Sequence, residues 1–278
     1  MDVQLIFAAF GGGILGAALG ALPAFIFTGF VGLIGIAVIA AGGSAAILND
    51  VTFGTLLGPH IAFAGGVAAA AFAGNKREHL ETGLDIITSL NKCKDPMVLL
   101  VGGFFGIIGF VLNNLFVNMN IPTDTVALTV FVSGVIARIL FGQTGVFGKF
   151  NNIDGQKRTI APDSNSIVMD IIIGLGFGLV VSYLIILTEI TTLGFCISAA
   201  SLIFVQMGFE APTTHHITMV AGYAAMATGN MLIGALAAVI ASILGDLIGR
   251  TVNSHCDTHI DPPATTIFIC SLVIFIVF

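Results

Sequence analysis

An all-α polytopic membrane protein, built of about ten transmembrane or re-entrant helices in two five-helix repeats that run inverted, is the fold this sequence predicts. Three observations predict it. Of the 278 residues, 56% are hydrophobic and only 9% charged, with a mean hydropathy of +1.06. A soluble domain carries about 25% charged residues. Polar breaks cut the apolar sequence into segments near the length of a membrane span. Finally, one segment occurs twice. At a constant offset Phe53 meets Phe209, His60 meets His216, Gly66 meets Gly222 and Ala71 meets Ala227, and a one-residue slip aligns Gly74-Asn75 with Gly229-Asn230. Alanine and glycine matches are cheap in so apolar a chain; the histidine, asparagine and phenylalanine anchors are not.

In chain order, residues 3–42 are apolar with a break at Pro23, predicting helices over 4–21 and 24–42. The signature helix, ending at Asn75, is expected to open at Pro59, because proline suits a helix's first turn. The polar stretch 76–96 carries Lys76, Arg77, Glu78, His79, Glu81, Lys92 and Lys94, with a short interfacial helix expected at 84–90. Apolar runs then cover 97–117 and 125–142. Residues 143–165 form the clearest linker, followed by apolar runs at 167–187, 191–208, the second signature helix, 231–252 and 264–278. The division is therefore 1–142, a first five-helix repeat with the charged insertion 76–96; 143–165, a cytoplasmic linker; and 166–278, a second five-helix repeat. A further match, Asp124 to Phe131 against Asp261 to Phe268, falls at a shorter offset, which the insertion accounts for. Thirty-five glycines suit close helix packing in lipid.

If all five segments of each repeat span, Lys76, Arg77, Lys92, Lys94, Arg138, Lys149, Lys157, Arg158 and Arg250 all fall on one side. The positive-inside rule makes that side cytoplasmic, and an odd number of spans inserts the repeats in opposite orientations. If the short signature segment is re-entrant instead, the repeats become parallel and Arg250 alone changes sides.

The candidate site residues are polar helix starts paired across the duplication: His60 with Thr123, Asp124 and Thr125 in the first repeat, and Thr213, Thr214, His216, Asp261, Thr265 and Thr266 in the second. Capping explains such residues at helix starts. Their pairing adds a second reading, since helix N-termini meeting near the membrane midplane make solute sites. Those positive ends suit small anions, while Asp124 and Asp261 suit Na⁺ or H⁺. A recurring histidine at a membrane helix entry reads either as a structural residue bonded to a neighbouring carbonyl or as a gate or proton relay. Asp246 and Arg250, one helical turn apart, read as an ion pair or gate. His215, His255, Cys256 and His259 are weak metal-ligand candidates, at a spacing that matches no established zinc motif. The four cysteines show no paired framework.

A net charge of −6 and a pI near 5.3 argue against nucleic acid as a partner. The chain lacks the phosphate-binding glycine loop, the paired-histidine zinc motif and the nucleophile-elbow serine motif, so no catalytic activity and no cofactor are expected. The expectation is a multi-pass protein of the cell inner (cytoplasmic) membrane, a secondary carrier or channel for a small solute or ion, with its site between the repeats. Its partners would be the bilayer, the solute and, as an option, further copies in a homo-oligomer. The alternatives are a non-transporting subunit anchoring a partner complex and a metal-dependent membrane enzyme.

Overall fold

The structure, a computed structural model, describes residues 2–150 and 158–278. Asp154 and Lys157 of the linker lie outside the described residues. Every named element is helical; among the described residues the one extended pairing is an isolated bridge between Gly83 and Thr258.

Helix α1 (Val3–Leu19) is capped by Asp2, whose side chain accepts from the Gln4 amide. It ends at Gly20 (φ 98), a conformation that glycine alone adopts without strain. Helix α2 (Ala21–Ala40) starts at once. The break expected at Pro23 therefore falls at Gly20, and Pro23 sits in the first turn of α2, where a missing N–H costs no helical bond. After α2 the chain doubles back. A π-helical turn (Ile47–Thr52) packs on Gly35, tight turns follow, and α3 (Ala62–Asn75) begins only at Ala62. Pro59 thus belongs to a turn rather than to the helix start.

The helix expected at 84–90 is also absent. Asp85 draws the chain into a turn there by accepting from the Ile87 and Thr88 amides, and a 3₁₀ turn follows at Leu90–Cys93. Helix α4 (Pro96–Asn118) is capped by Asp95 and α5 (Thr125–Phe141) by Asp124. The second half comprises α6 (Ser164–Thr188), α7 (Leu193–Ser201), the short α8 (Ile203–Gln206), α9 (His215–Thr228), α10 (Met231–Val252) and α11 (Pro262–Val277).

By length and composition, α2, α4, α6 and α10 can cross a membrane. The outward face of α10 suits lipid, with Leu232, Leu236 and Ile240 each more than half exposed at successive turns. The signature helices α3 and α9 have 14 residues each, about 21 Å at 1.5 Å per residue. That is less than the roughly 30 Å hydrocarbon core. Both are sheathed by neighbours and buried almost throughout.

The helices pack alike in the two halves. Helix α1 lies along α3 and α4, and α6 lies along α9 and α10. Glycine permits both approaches: a Cβ on Gly13 would stand 2.1 Å from the Gly102 carbonyl oxygen, and one on Gly174 2.7 Å from the Val239 Cα. The halves meet along two antiparallel crossings. Gly29 of α2 abuts Ala199 and Ala200 of α7, while Gly32, further along α2, abuts the earlier Cys196. On the other side Thr123 reaches Ser271 at 2.9 Å, Phe131 meets Phe268 at 5.1 Å between ring centroids, and Arg138 reaches Thr258.

Cationic segments gather at one end. The Arg138 side chain, 1% exposed, donates to the Val146 and Val252 carbonyls, each at 2.6 Å, and to the Thr258 hydroxyl at 2.8 Å. Arg158 donates to the carbonyls of Phe147 and Thr251, the Lys149 amide to that of His255, and Asn75 at the end of α3 to that of Asp257. Helix α3 therefore ends beside the loop that follows α10, whereas α9 ends directly before α10 begins. The two short helices point to opposite ends of the molecule.

Candidate functional site

Both short helices begin inside the protein, and their N-terminal ends face a cavity of about 580 Å³ lined by both halves. Pro59 and Phe63 reach it from the α3 side, Asp124 and Val126 from the start of α5, Thr213, His215 and His216 from the start of α9, and Asp261 to Ala264 from the start of α11.

Each aspartate divides its oxygens between two tasks. Asp124 Oδ1 accepts from the Ala127 amide at 2.9 Å, and its Oδ2 accepts from the Tyr223 hydroxyl of α9 at 2.7 Å. Asp261 Oδ2 accepts from the Ala264 amide at 2.7 Å, while Oδ1 lies 3.1 Å from His259 Nε2. His259 Nδ1 in turn lies 3.0 Å from the Asn253 side-chain nitrogen. Capping accounts for one oxygen of each carboxylate; the other is held toward the cavity by a titratable neighbour.

The histidines at the starts of the short helices differ. His215 and His216 line the cavity, 6% and 7% exposed, and the Nδ1 of each has no hydrogen-bond partner among the described residues. Thr214, which precedes them, turns its hydroxyl to Ser198 at 3.1 Å instead of capping α9. His60 is buried elsewhere, in the turn before α3, where its carbonyl packs against Gly109 of α4. Its counterpart His216 packs its ring against Gly245 of α10.

Of the other expected residues, one joins two helices and three take part in bonds within their own helix. Thr123 donates to the Phe268 carbonyl at 2.6 Å and so joins α5 to α11. The Thr125 carbonyl accepts from Thr129, Thr265 bonds the Asp261 carbonyl and Thr266 bonds that of Pro262, all within helical turns. Thr213 is exposed and lines the cavity. Asp246 lines it too, ion-paired at 2.9 Å with Arg250, which also donates to Ser166. Of the metal candidates, His215 and His259 face the cavity, while His255 stacks on Phe150 (4.9 Å) and Cys256 contacts the Val252 carbonyl at 3.7 Å. Among the described residues no three metal-ligating side chains converge.

Sequence reasoning missed Tyr223 and Phe25. Phe25 is the aromatic hub of the apolar wall, with ring centroids 5.5 Å from Phe63, 5.6 Å from Phe195 and 4.8 Å from His215. Tyr223 had a usable signal: it is one of two tyrosines in the chain and stands where the first signature has Val67. Asp170 lies beside Asp246 in a smaller adjoining cavity with Oδ2 buried and unpartnered among the described residues.

The walls are therefore unlike. Helices α2 and α3 bring apolar and aromatic surface, and most of the polar groups come from α9, α10 and the start of α11. No lysine or arginine among the described residues lines the cavity. No curated protein and no solved structure matches the chain. Residues 1–155 and 160–278 match one family model, and the chain belongs to that family, the family of unknown function DUF7973.

Proposed function

We propose that this protein is a multi-pass transport protein of the inner membrane, a secondary carrier or channel for a small solute or ion, built as two inverted five-helix repeats. The observation that carries the reading is the cavity between the halves, onto which the starts of α3, α5, α9 and α11 converge. Half-length helices whose N-termini meet inside a bundle are how several carrier folds build solute sites, since such ends present unpaired amides and irregular backbone where a cavity can use them.

The helix pairings support the repeat: α1 with α3 and α4 is mirrored by α6 with α9 and α10, and the halves meet where α2 crosses α7 and α5 crosses α11. The opposite directions of α3 and α9 support inversion. The gathering of Arg138, Arg158 and Lys149 at one end supports a cytoplasmic face there. The gap between the two stretches matched by the family model falls inside the proposed linker, 143–165.

In a carrier, one half would rock against the other about the cavity, with α2–α7 and α5–α11 as sliding surfaces. The test is flux. Purified protein in proteoliposomes should take up at least one member of a panel of inorganic cations, anions and small organic solutes. Absence of any flux, together with stoichiometric co-purification of another protein, would replace transport with an anchoring role. Cysteine accessibility at positions 120, 190 and 257 tests the topology, 257 alone being reachable from the cytoplasm.

A further inference from the structure

We propose that the cavity binds an apolar zwitterion of the amino-acid class, with its carboxylate at the start of α9 and its ammonium against Asp261. This rests on the reading above that the cavity is the solute site.

At the start of α9 the amides of His215, His216 and Ile217 meet no hydrogen-bond acceptor among the described residues, because Thr214 bonds Ser198 and the first internal bond runs from Thr218 back to Thr214. Beside these amides are two imidazoles more than nine-tenths buried, each with an unpartnered Nδ1, lining the same cavity. Buried donors without acceptors are costly, and a helix start adds favourable potential for negative charge. A carboxylate supplies the missing acceptors.

The same cavity holds two carboxylates with no arginine or lysine to balance them. Asp246 is matched by Arg250, whereas Asp124 and Asp261 have only the Tyr223 hydroxyl and His259 beside their free oxygens. A plain anion would face both of those charges. A plain cation would leave the α9 donors unmet. A molecule carrying both charges satisfies both walls, and its apolar part has Phe25, Phe63, Phe195 and Met219 to bury against.

The experiment measures binding of L-phenylalanine and L-leucine to the full-length protein in detergent, by calorimetry near pH 7. Phenethylamine and 3-phenylpropionate, which lack one charge each, serve as comparisons. The expected result is that a zwitterion binds and both single-charge analogues bind about tenfold more weakly or worse. Asp261→Asn should weaken the zwitterion and the amine while sparing the acid. His216→Gln, which keeps a polar group of similar reach, should weaken the zwitterion and the acid while sparing the amine. Equal binding of the amine, equal binding of the acid, or no binding of any of the four by folded protein overturns the proposal. Flux of some other solute without amino-acid binding would sink this inference and leave transport standing. Amino-acid binding without flux would do the reverse.

Discussion

The start of α3 and the start of α9 carry a histidine at matching positions, yet one is closed and the other open. Before α3 the chain folds back on itself: the Ile61 and Ala62 amides both bond the Gly58 carbonyl, and the backbone of His60 is pressed on Gly109. Before α9 no such closure forms, the first amides stay unpaired, and the ring of His216 rests on Gly245. Two matching segments can thus keep the same packing partner while only the second turns its histidines to the cavity, His60 Nδ1 being unpartnered among the described residues as well but away from it. The difference teaches that the short helices pack alike and that the polar groups facing the cavity are concentrated at the start of the second.

The largest effect that would break this comparison comes from the paired glycines. A Cβ on Gly109 would stand 1.7 Å from the His60 carbonyl oxygen, a backbone atom held by its turn. Gly109→Ala should cost about 3 kcal/mol or more, at the upper end of overpacking penalties, and yield little folded protein by size-exclusion profile. The atoms nearest a Cβ on Gly245 belong to the His216 imidazole, at 2.5 Å, a side chain rather than backbone. Gly245→Ala should fold and lose solute binding. Equal loss of folding in both variants would mean that the two helix starts are structurally alike after all. Gly176, with nothing within 4 Å of an added Cβ, is the control, and Gly176→Ala should leave the elution profile unchanged.

Why the sequence reveals one level of this and not the other is visible in the same residues. Apolar runs mark helices because every backbone group in lipid must be paired within the chain, so α4, α5, α6 and α10 appear near their expected bounds. Pro23 misleads because proline within a first turn and proline at a break look alike in sequence, and Gly20, the residue with positive φ, is one of thirty-five glycines. The pairing of Asp124 with Tyr223 joins positions 99 residues apart, which no local pattern encodes. The helix-start aspartates were legible, because capping is local; their second partners were not.

The next comparison lies at the far ends of α5 and α11, where the aligned positions hold Arg138 and Phe275. Phe275 meets Tyr223 edge-on at 4.9 Å, while Arg138 ties the segment after α5 to the end of α10 and the loop beyond it through four donor contacts. Arg138→Met removes the tie and leaves the Val146, Val252 and Thr258 carbonyls without their donor, a loss of about 3 kcal/mol given roughly 1.5–3 kcal/mol for each bond to a charged group and partial relaxation. The expected readout is a lower unfolding temperature in detergent together with faster hydrogen exchange at 252–258. An unchanged loop would show that the cationic end is held by Arg158 and Asn75 alone.

Tyr223→Phe sharpens the contrast at smaller energy. Its hydroxyl bonds Asp124, and the matching residue of the first signature, Val67, has no polar group. The fold should therefore tolerate the change, at about 1 kcal/mol for one hydrogen bond, while solute binding falls because Asp124 Oδ2 loses the group that orients it. A variant with undiminished binding would remove Asp124 from the site.

The smallest expected effect concerns the insertion, which only the first half carries. Asp95 caps α4 by accepting from the Met97 amide, and His79 and Arg77 stand 3.2 Å from its other oxygen. The Met97 N–H bond, then His79 and Arg77, hold the Asp95 carboxyl below the usual carboxylate range. A lowered pKa favours the folded arrangement above the ordinary aspartate value near 3.9. The contribution is lost as pH falls through the lowered value and the proton neutralises the group. The segment 76–95 should therefore exchange its amides at a pH-independent protection between pH 5 and 7 and lose protection below about pH 4, with Asp95→Asn showing the acid pattern at neutral pH. Because Ile86 and Ile87 of this segment line the cavity, the same acid step should loosen solute binding from the first half while α9 stays ordered. Simultaneous loss of protection in α9 would mean that the two halves of the site unfold as one.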